Sequence, residues 1–457
     1  MDQAKGYRQS GDIGGPMNIN EGYRWNIPVV TYGFDRSFLD YFGTNGVNAV
    51  EAAFQLLNQV PTASLINVTN YPPNAWRVNG QASTYGLLDL KSTVLSLLLE
   101  QLGLATPERY TFCIRDYGYS GGHYYFYVIR RNFDSITGAP SSYVNDTLLS
   151  YQILQLTASP PPTGIFCDAA EFPVDPTADF NSAVASFGQG VGYYATALSR
   201  DDVSGLKYLL NGNLVRYENL LADVHETGAA TNLVRSAFRP GVEKISFVRH
   251  PYVILSGDFR MFTNQWIDVY YDGSYPSYQE VERVTTRPDI LFTARDLGVD
   301  RLFERTGTTN WINNADMNGN LGGGGPGIIQ PPINIALNNV GRLYLNFAPF
   351  NLDEATAIGM QAWGTFDGST NQAIVYPATP TGFQPSQVRF KLLSAGRTNE
   401  FRWFLSGVPY GRFLFETSTN LANWSSLATI TNSGAVFNYT FSALTNETSR
   451  FFRTSAE

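Results

Sequence analysis

Three histidines and two cysteines in 457 residues leave this chain poorly equipped for metal chemistry. A catalytic zinc site takes three protein ligands, most often imidazoles. A site built on histidine alone would therefore consume His123, His225 and His250 together. Cys113 in TFCIRDY and Cys167 in GIFCDAAEF stand in separate strand-like runs with no CxxC pair, which excludes a thiolate zinc site. The two cysteines either bridge as one disulfide or remain two buried thiols. Charge is also scarce, at 15% of residues against the usual level of about a quarter. The net charge is −8 and no cluster of five or more basic residues occurs, so the basic footprint that nucleic acid requires is absent. No uninterrupted apolar run reaches about 18 residues, and no segment reads as a membrane-spanning helix. The polar start MDQAKGYRQSGDIGG contains no apolar signal region.

Aromatic residues, by contrast, are plentiful: 27 Tyr and 30 Phe suit half-buried pleated surfaces, and 42 Gly with 24 Pro supply the turns that many short strands need. The predicted class is a multidomain, β-rich protein with an α+β module over residues 1–240. A central β domain follows over 241–380, then a small C-terminal β-sandwich over 387–457. In the first module IPVVTYGFD reads as a strand. Val47, Val50, Phe54 and Leu57 recur at helical spacing, with Asn45 as the expected cap. The stretch TVLSLLLEQLGLATPERY carries a helix that is apolar all round, hence buried. HYYFYVIRRNF reads as a strand. SRDDVSGLKYLLN reads as a helix capped by Ser199, with Asp201 and Asp202 in the first turn. NLVRYENLLADV is expected to add a further helical turn or two. From Gly241 onward helical periodicity gives way to strand-length runs broken by turn residues.

Four of these stretches, in this order, resemble a matrixin-like (zincin) metallopeptidase. YRWNIPVVTYGFD matches its opening strand and VNAVEAAFQLLNQV its first helix. The apolar helix running into Leu102-Gly103-Leu104 matches its active-site helix, and LSRDDVSGLKYLL its closing helix. The resemblance implies zinc-ligand positions at Ser96, Glu100 and Thr106 and a water-activating glutamate position at Leu97. Three imidazoles and a free carboxylate base are what the chemistry needs, and these four residues do not supply them. The resemblance thus implies a peptidase-like fold without its activity. At the other end, RFLFETSTNLANWSSLATITNSGAVFNYTFSALTNETSRFFR is similar to C-terminal β-domains of large secreted proteins of Verrucomicrobia-type bacteria. Trp424 reads there as a core or corner aromatic, and Asn420 and Asn423 as turn residues.

Other constellations are incomplete. VHETGAA opens like a HExxH helix at His225 and Glu226, but Ala229 stands where the second histidine belongs. Asp316, Asn318 and Asn320 alternate as oxygen ligands do in calcium loops, with one carboxylate and no closing glutamate. Glu280 and Glu282 form one of several carboxylate pairs that a glycosidase could use. No catalytic residue set and no cofactor motif is complete. The reading that follows is a secreted or cell-surface structural protein that self-associates into a filament, sheath or surface layer. A secreted hydrolase and a glycan-binding adhesin are the alternatives.

Overall fold

The structure is a computed structural model. It describes residues 23–134, 136–156, 166–186, 190–227, 232–253, 258–295, 307–313, 327–338, 362–376, 389–395, 400–406, 412–431, 436–440 and 451–456. It is β-rich and divided among several sheets, with few helices.

The chain enters through β1 (Tyr23–Arg24) and β2 (Val29–Phe34) and continues into α1 (Arg36–Gln59). Asp35 caps this helix by accepting the Phe38 amide at 2.9 Å. The span is two helices joined across a break at Gly43, whose φ of 58° is not helical, and Asn45, the expected cap, lies two residues beyond that break at the start of the second. The apolar pattern from Val47 to Leu57 is its second half. Next come β3 (Trp76–Val78), α2 (Gly80–Thr84), β4 (Leu87–Asp89) and α3 (Leu90–Gln101). Strands β5 (Phe112–Ser120), β6 (His123–Arg130), β7 (Tyr143–Val144), β8 (Thr147–Leu156), β9 (Phe166–Pro173) and β10 (Tyr193–Ala195) precede α4 (Arg200–Leu210). After it the chain is strand only among the described residues: β11 (Arg216–Asn219), β12 (Val224–Glu226), β13 (Ser236–Arg239), β14 (Ser246–Arg249), β15 (Tyr252–Val253) and β16 (Asp258–Phe259). The long β17 (Phe262–Asp272) and β18 (Tyr275–Thr285) lead to β19 (Ile290–Arg295), β20 (Gly307–Asn313), β21 (Gly327–Asn338), β22 (Ala362–Thr365) and β23 (Ile374–Val375).

The central sheet runs β1-β21-β19-β2-β14, every neighbouring pair parallel, with β20 antiparallel on β21. Parallel strands covered on both faces read as nearly continuous apolar runs. Accordingly Ile328, Ile329, Ile333 and Ile335 of β21 are fully buried. Helix α1 packs its aromatic side on this sheet: Tyr32 stacks on Phe54 at 3.9 Å and Phe34 lies 4.9 Å from Phe38. A boundary at residue 240 would divide this sheet, because β14, β19 and β21 pair with β1 and β2. The same interleaving recurs where β22 pairs with β4.

A second sheet, β11-β13-β17-β18-β12, is antiparallel throughout. Strand β11 corrects the expectation of helical turns in NLVRYENLLADV. Arg216 and Glu218 alternate into the interior, where Glu218 meets Arg24, so a period of two prevails over the apolar spacing. Strands β7, β8 and β9 form a three-stranded sheet, and β5 with β6 a hairpin packed against it. The C-terminal strands form two antiparallel three-stranded sheets. One joins β24 (Arg389–Ala395), β25 (Glu400–Ser406) and β28 (Val436–Thr440). The other joins β27 (Ser425–Thr431), β26 (Arg412–Ser418) and β29 (Phe451–Ala456). In this tail Asn420 accepts the Ala422 and Asn423 amides, which makes it a turn residue. Trp424 is half-buried beneath Arg453, whose guanidinium sits 4.2 Å from the ring centroid. No helix among the described residues is long and apolar enough to cross a membrane.

Candidate functional site

Helix α3 carries the positions matched to the peptidase zinc site. Asp89 caps it by accepting the Ser92 amide at 2.9 Å, and nearly every face is buried. Leu97, Glu100 and Thr106 are buried, and Ser96 is half-buried. Trp25 Nε1 donates to the Gln101 carbonyl at 2.9 Å. The Leu-Gly-Leu stretch has its own physical account as a helix stop. Gly103 takes φ 103°, its amide donates to the Glu100 carbonyl at 3.0 Å, and the Leu104 amide reaches back to the Leu99 carbonyl at 3.1 Å. Those two bonds close a left-handed C-terminal cap, which satisfies the last helical carbonyls with no metal involved.

The three histidines lie in separate places. His123 is exposed at the start of β6, and His225 is exposed on β12 opposite Glu282. His250 is buried just after β14, with Nε2 3.4 Å from Thr285 Oγ1 and its ring against Phe259 and Phe262. Among the described residues no group of three or more His, Cys, Asp or Glu is placed to hold a metal ion. Asp316, Asn318 and Asn320 lie outside the described residues. Cys113 is buried on β5, whereas the side chain of Cys167 on β9 lies outside them.

Sequence reasoning missed a carboxylate clamp beneath α4. Glu108 Oε1 accepts the Ser182 amide at 3.0 Å and the Ala183 amide at 3.2 Å, while Oε2 accepts the Ser186 hydroxyl. Asp202 takes the next two: Oδ2 accepts the Val184 amide at 3.0 Å and Oδ1 the Ala185 amide at 2.9 Å. Four successive backbone donors thus end on two buried carboxylates. Asp202 also accepts the Ser199 amide at 2.7 Å, completing a reciprocal capping box with the Ser199 hydroxyl. The Asp-Asp pair was legible as helix start chemistry, but its reach to residues 182–186 was not. Burial pushes the Glu108 carboxyl up to about 7, and it raises Asp202 as well. Burial likewise pushes Asp89 up to about 6.

The most accessible unusual feature is the β5–β6 hairpin. Gly121 and Gly122, at φ 59° and 84°, make the tight turn that joins Ser120 to His123. Near its base the hairpin is anchored: Phe112 and Ile114 join a core with Val144, Leu149 and Ala169, and Phe126 and Val128 pack against it. Towards the tip both faces open to solvent. Tyr119 and Tyr124 are 61% and 41% exposed on one face, and Tyr125 and Tyr127 are 47% and 56% exposed on the other. Tyr125 lies across Gly118, where a side chain would collide with its ring. Among the described residues β6 pairs with β5 alone. Its eight residues, HYYFYVIR, contain no lysine, proline or acid, which are common devices that keep edge strands from pairing with other chains.

No protein-family model, no curated protein and no solved structure matches this chain.

Proposed function

We propose that this protein is a non-catalytic extracellular structural subunit that self-associates. In this reading a matrixin-like α+β module without zinc chemistry, whose parallel sheet also takes strands from beyond residue 240, is joined to antiparallel β-sheets and a small C-terminal β-sandwich. The observation that carries the proposal is the outer edge of β6. It is eight residues long and rich in exposed tyrosine, and it carries no lysine, proline or acid; its one charged residue, Arg130, stands at the end far from the turn, and the bulge in the hairpin falls on β5 between Ile114 and Asp116. Such an edge pairs by strand addition, in which main-chain hydrogen bonds supply affinity and alternate side chains supply specificity.

Antiparallel pairing of β6 with β6 of a second copy would be two-fold and would close at a dimer. A filament or layer needs a second contact. The outward face of the β11-β13-β17-β18-β12 sheet offers one, through Phe238, Ile267 and Tyr278, all substantially exposed. Tyr217 extends this face, its ring 5.4 Å from Phe238.

The test is electron microscopy and light scattering of the full chain, with zinc measured on the same sample. Ordered polymers or dimers that dissociate in the Tyr125→Lys, Tyr127→Lys double variant support the proposal. Monodisperse monomers carrying one zinc each overturn it.

A further inference from the structure

We propose that Tyr119 and Tyr124 are an oxidative cross-linking pair, joined within one chain by a carbon–carbon bond between their phenol rings. The proposal goes beyond self-association and does not depend on it. Tyr119 and Tyr124 are direct cross-strand partners at the penultimate position before the turn. Their ring centroids are 4.7 Å apart and the ring planes are inclined at 52°. A biaryl bond holds two phenol rings at a comparable centroid separation, so the pair already stands near the distance that coupling needs. Both rings are exposed, at 61% and 41%, so an external oxidant reaches them.

The other tyrosines among the described residues lack this combination. Tyr125 and Tyr127 are neighbours on one strand, with rings 5.9 Å apart and nearly perpendicular at 81°. Tyr275 is the more exposed residue at 79%, and its cross-strand partner is Asp272.

The chemistry balances with a peroxidase-type enzyme and hydrogen peroxide. Each phenol loses one electron and one proton to give a phenoxyl radical, whose unpaired electron is shared with the carbons ortho to oxygen. Two such carbons couple, and both rings regain aromaticity as their ortho hydrogens move to oxygen. Hydrogen peroxide accepts the two electrons and two protons and leaves as two waters. The bond would fasten the strands at the end where the hairpin has least support. Isolated two-stranded ribbons are marginal in water, and the anchoring core lies at the opposite end around Phe112 and Ile114.

The experiment treats dilute full-length protein with a peroxidase and hydrogen peroxide, then maps cross-linked peptides by mass spectrometry and records dityrosine fluorescence. The expected result is a product of monomer length on a denaturing gel, with a peptide joining Tyr119 to Tyr124 and a mass loss of two hydrogens. Tyr119→Phe and Tyr124→Phe, which keep ring packing, should each abolish that peptide. Cross-links that follow exposure alone, dominated by Tyr275 between chains and without a 119–124 peptide, overturn the proposal. So does an unchanged 119–124 region in protein that retains its native circular dichroism.

Discussion

Arg24 and Glu218, 194 residues apart in sequence, meet in a fully buried ion pair with Nε 2.6 Å from Oε1. Three further Arg24 donors go to main-chain carbonyls: Nη1 to Leu209 and Leu214, and Nη2 to Arg239. Through these bonds the pair ties β1 of the parallel sheet to β11 and β13 of the antiparallel sheet. Arg239 continues the buried charge pattern, its Nε donating to Asp268 Oδ1 at 3.0 Å and its Nη2 to Oδ2 at 3.0 Å. Burying such charges is favourable only when each is matched and hydrogen-bonded.

Removing one partner of the first pair should therefore be severe. Arg24→Met leaves the buried Glu218 carboxylate without its hydrogen-bonded cation, with only the Arg216 and Arg239 charges still acting on it, at an expected cost of roughly 3 kcal/mol. Burial already raises the Glu218 carboxyl despite Arg24, so the single variant should push it further. The double variant Arg24→Met, Glu218→Leu should recover much of the loss. Urea unfolding followed by tryptophan fluorescence reads both, and equal stability of single and double variants would contradict the coupling.

Stability should rise on mild acidification. The folded-state value for Glu108 is about 7 against an ordinary 4.5, so the folded form binds its proton more tightly than the unfolded form. Its contribution is fully present below about pH 4.5 and is lost as pH rises through 7. Asp89 acts in the same direction, between 3.8 and about 6. Thermal midpoints measured across this range should fall with rising pH. Glu108→Gln, which cannot ionise, should flatten that slope relative to the parent chain.

Asp202 should matter beyond its helix cap. Asp202→Ala removes the acceptors for the Val184, Ala185 and Ser199 amides. Each orphaned buried donor costs about 1–3 kcal/mol, against roughly 1 kcal/mol for losing a cap alone. Limited proteolysis should then cut near residues 182–186 before the rest of the molecule opens. A loss no larger than that of a simple cap, with no new cleavage, would confine Asp202 to α4.

Gly103→Ala should be destabilising by about 2 kcal/mol or more. The residue holds φ 103°, and an added Cβ would press into the Tyr23 carbonyl oxygen. Thermal unfolding reads the cost. A near-neutral Gly103→Ala would show that β1 can move away from the α3 stop.

Much of the local structure follows from sequence alone. The apolar run of α3 dictates a buried helix, Ser199 and Asp202 dictate a helix start, and Asn420 dictates a turn, because each depends on neighbours within four residues. The strand character of β6 is equally local, written in its aromatic and β-branched residues. What sequence could not determine is which distant groups meet. The parallel sheet takes β14, β19 and β21 from beyond residue 240, since parallel pairing joins strands that local periodicity treats as separate blocks. Arg216 and Glu218 look like parts of a helical turn until the tertiary structure supplies Arg24 as the partner that makes burying Glu218 tolerable. The Glu108 clamp is likewise invisible in sequence, because two of its three partners are main-chain amides, which every residue except proline carries.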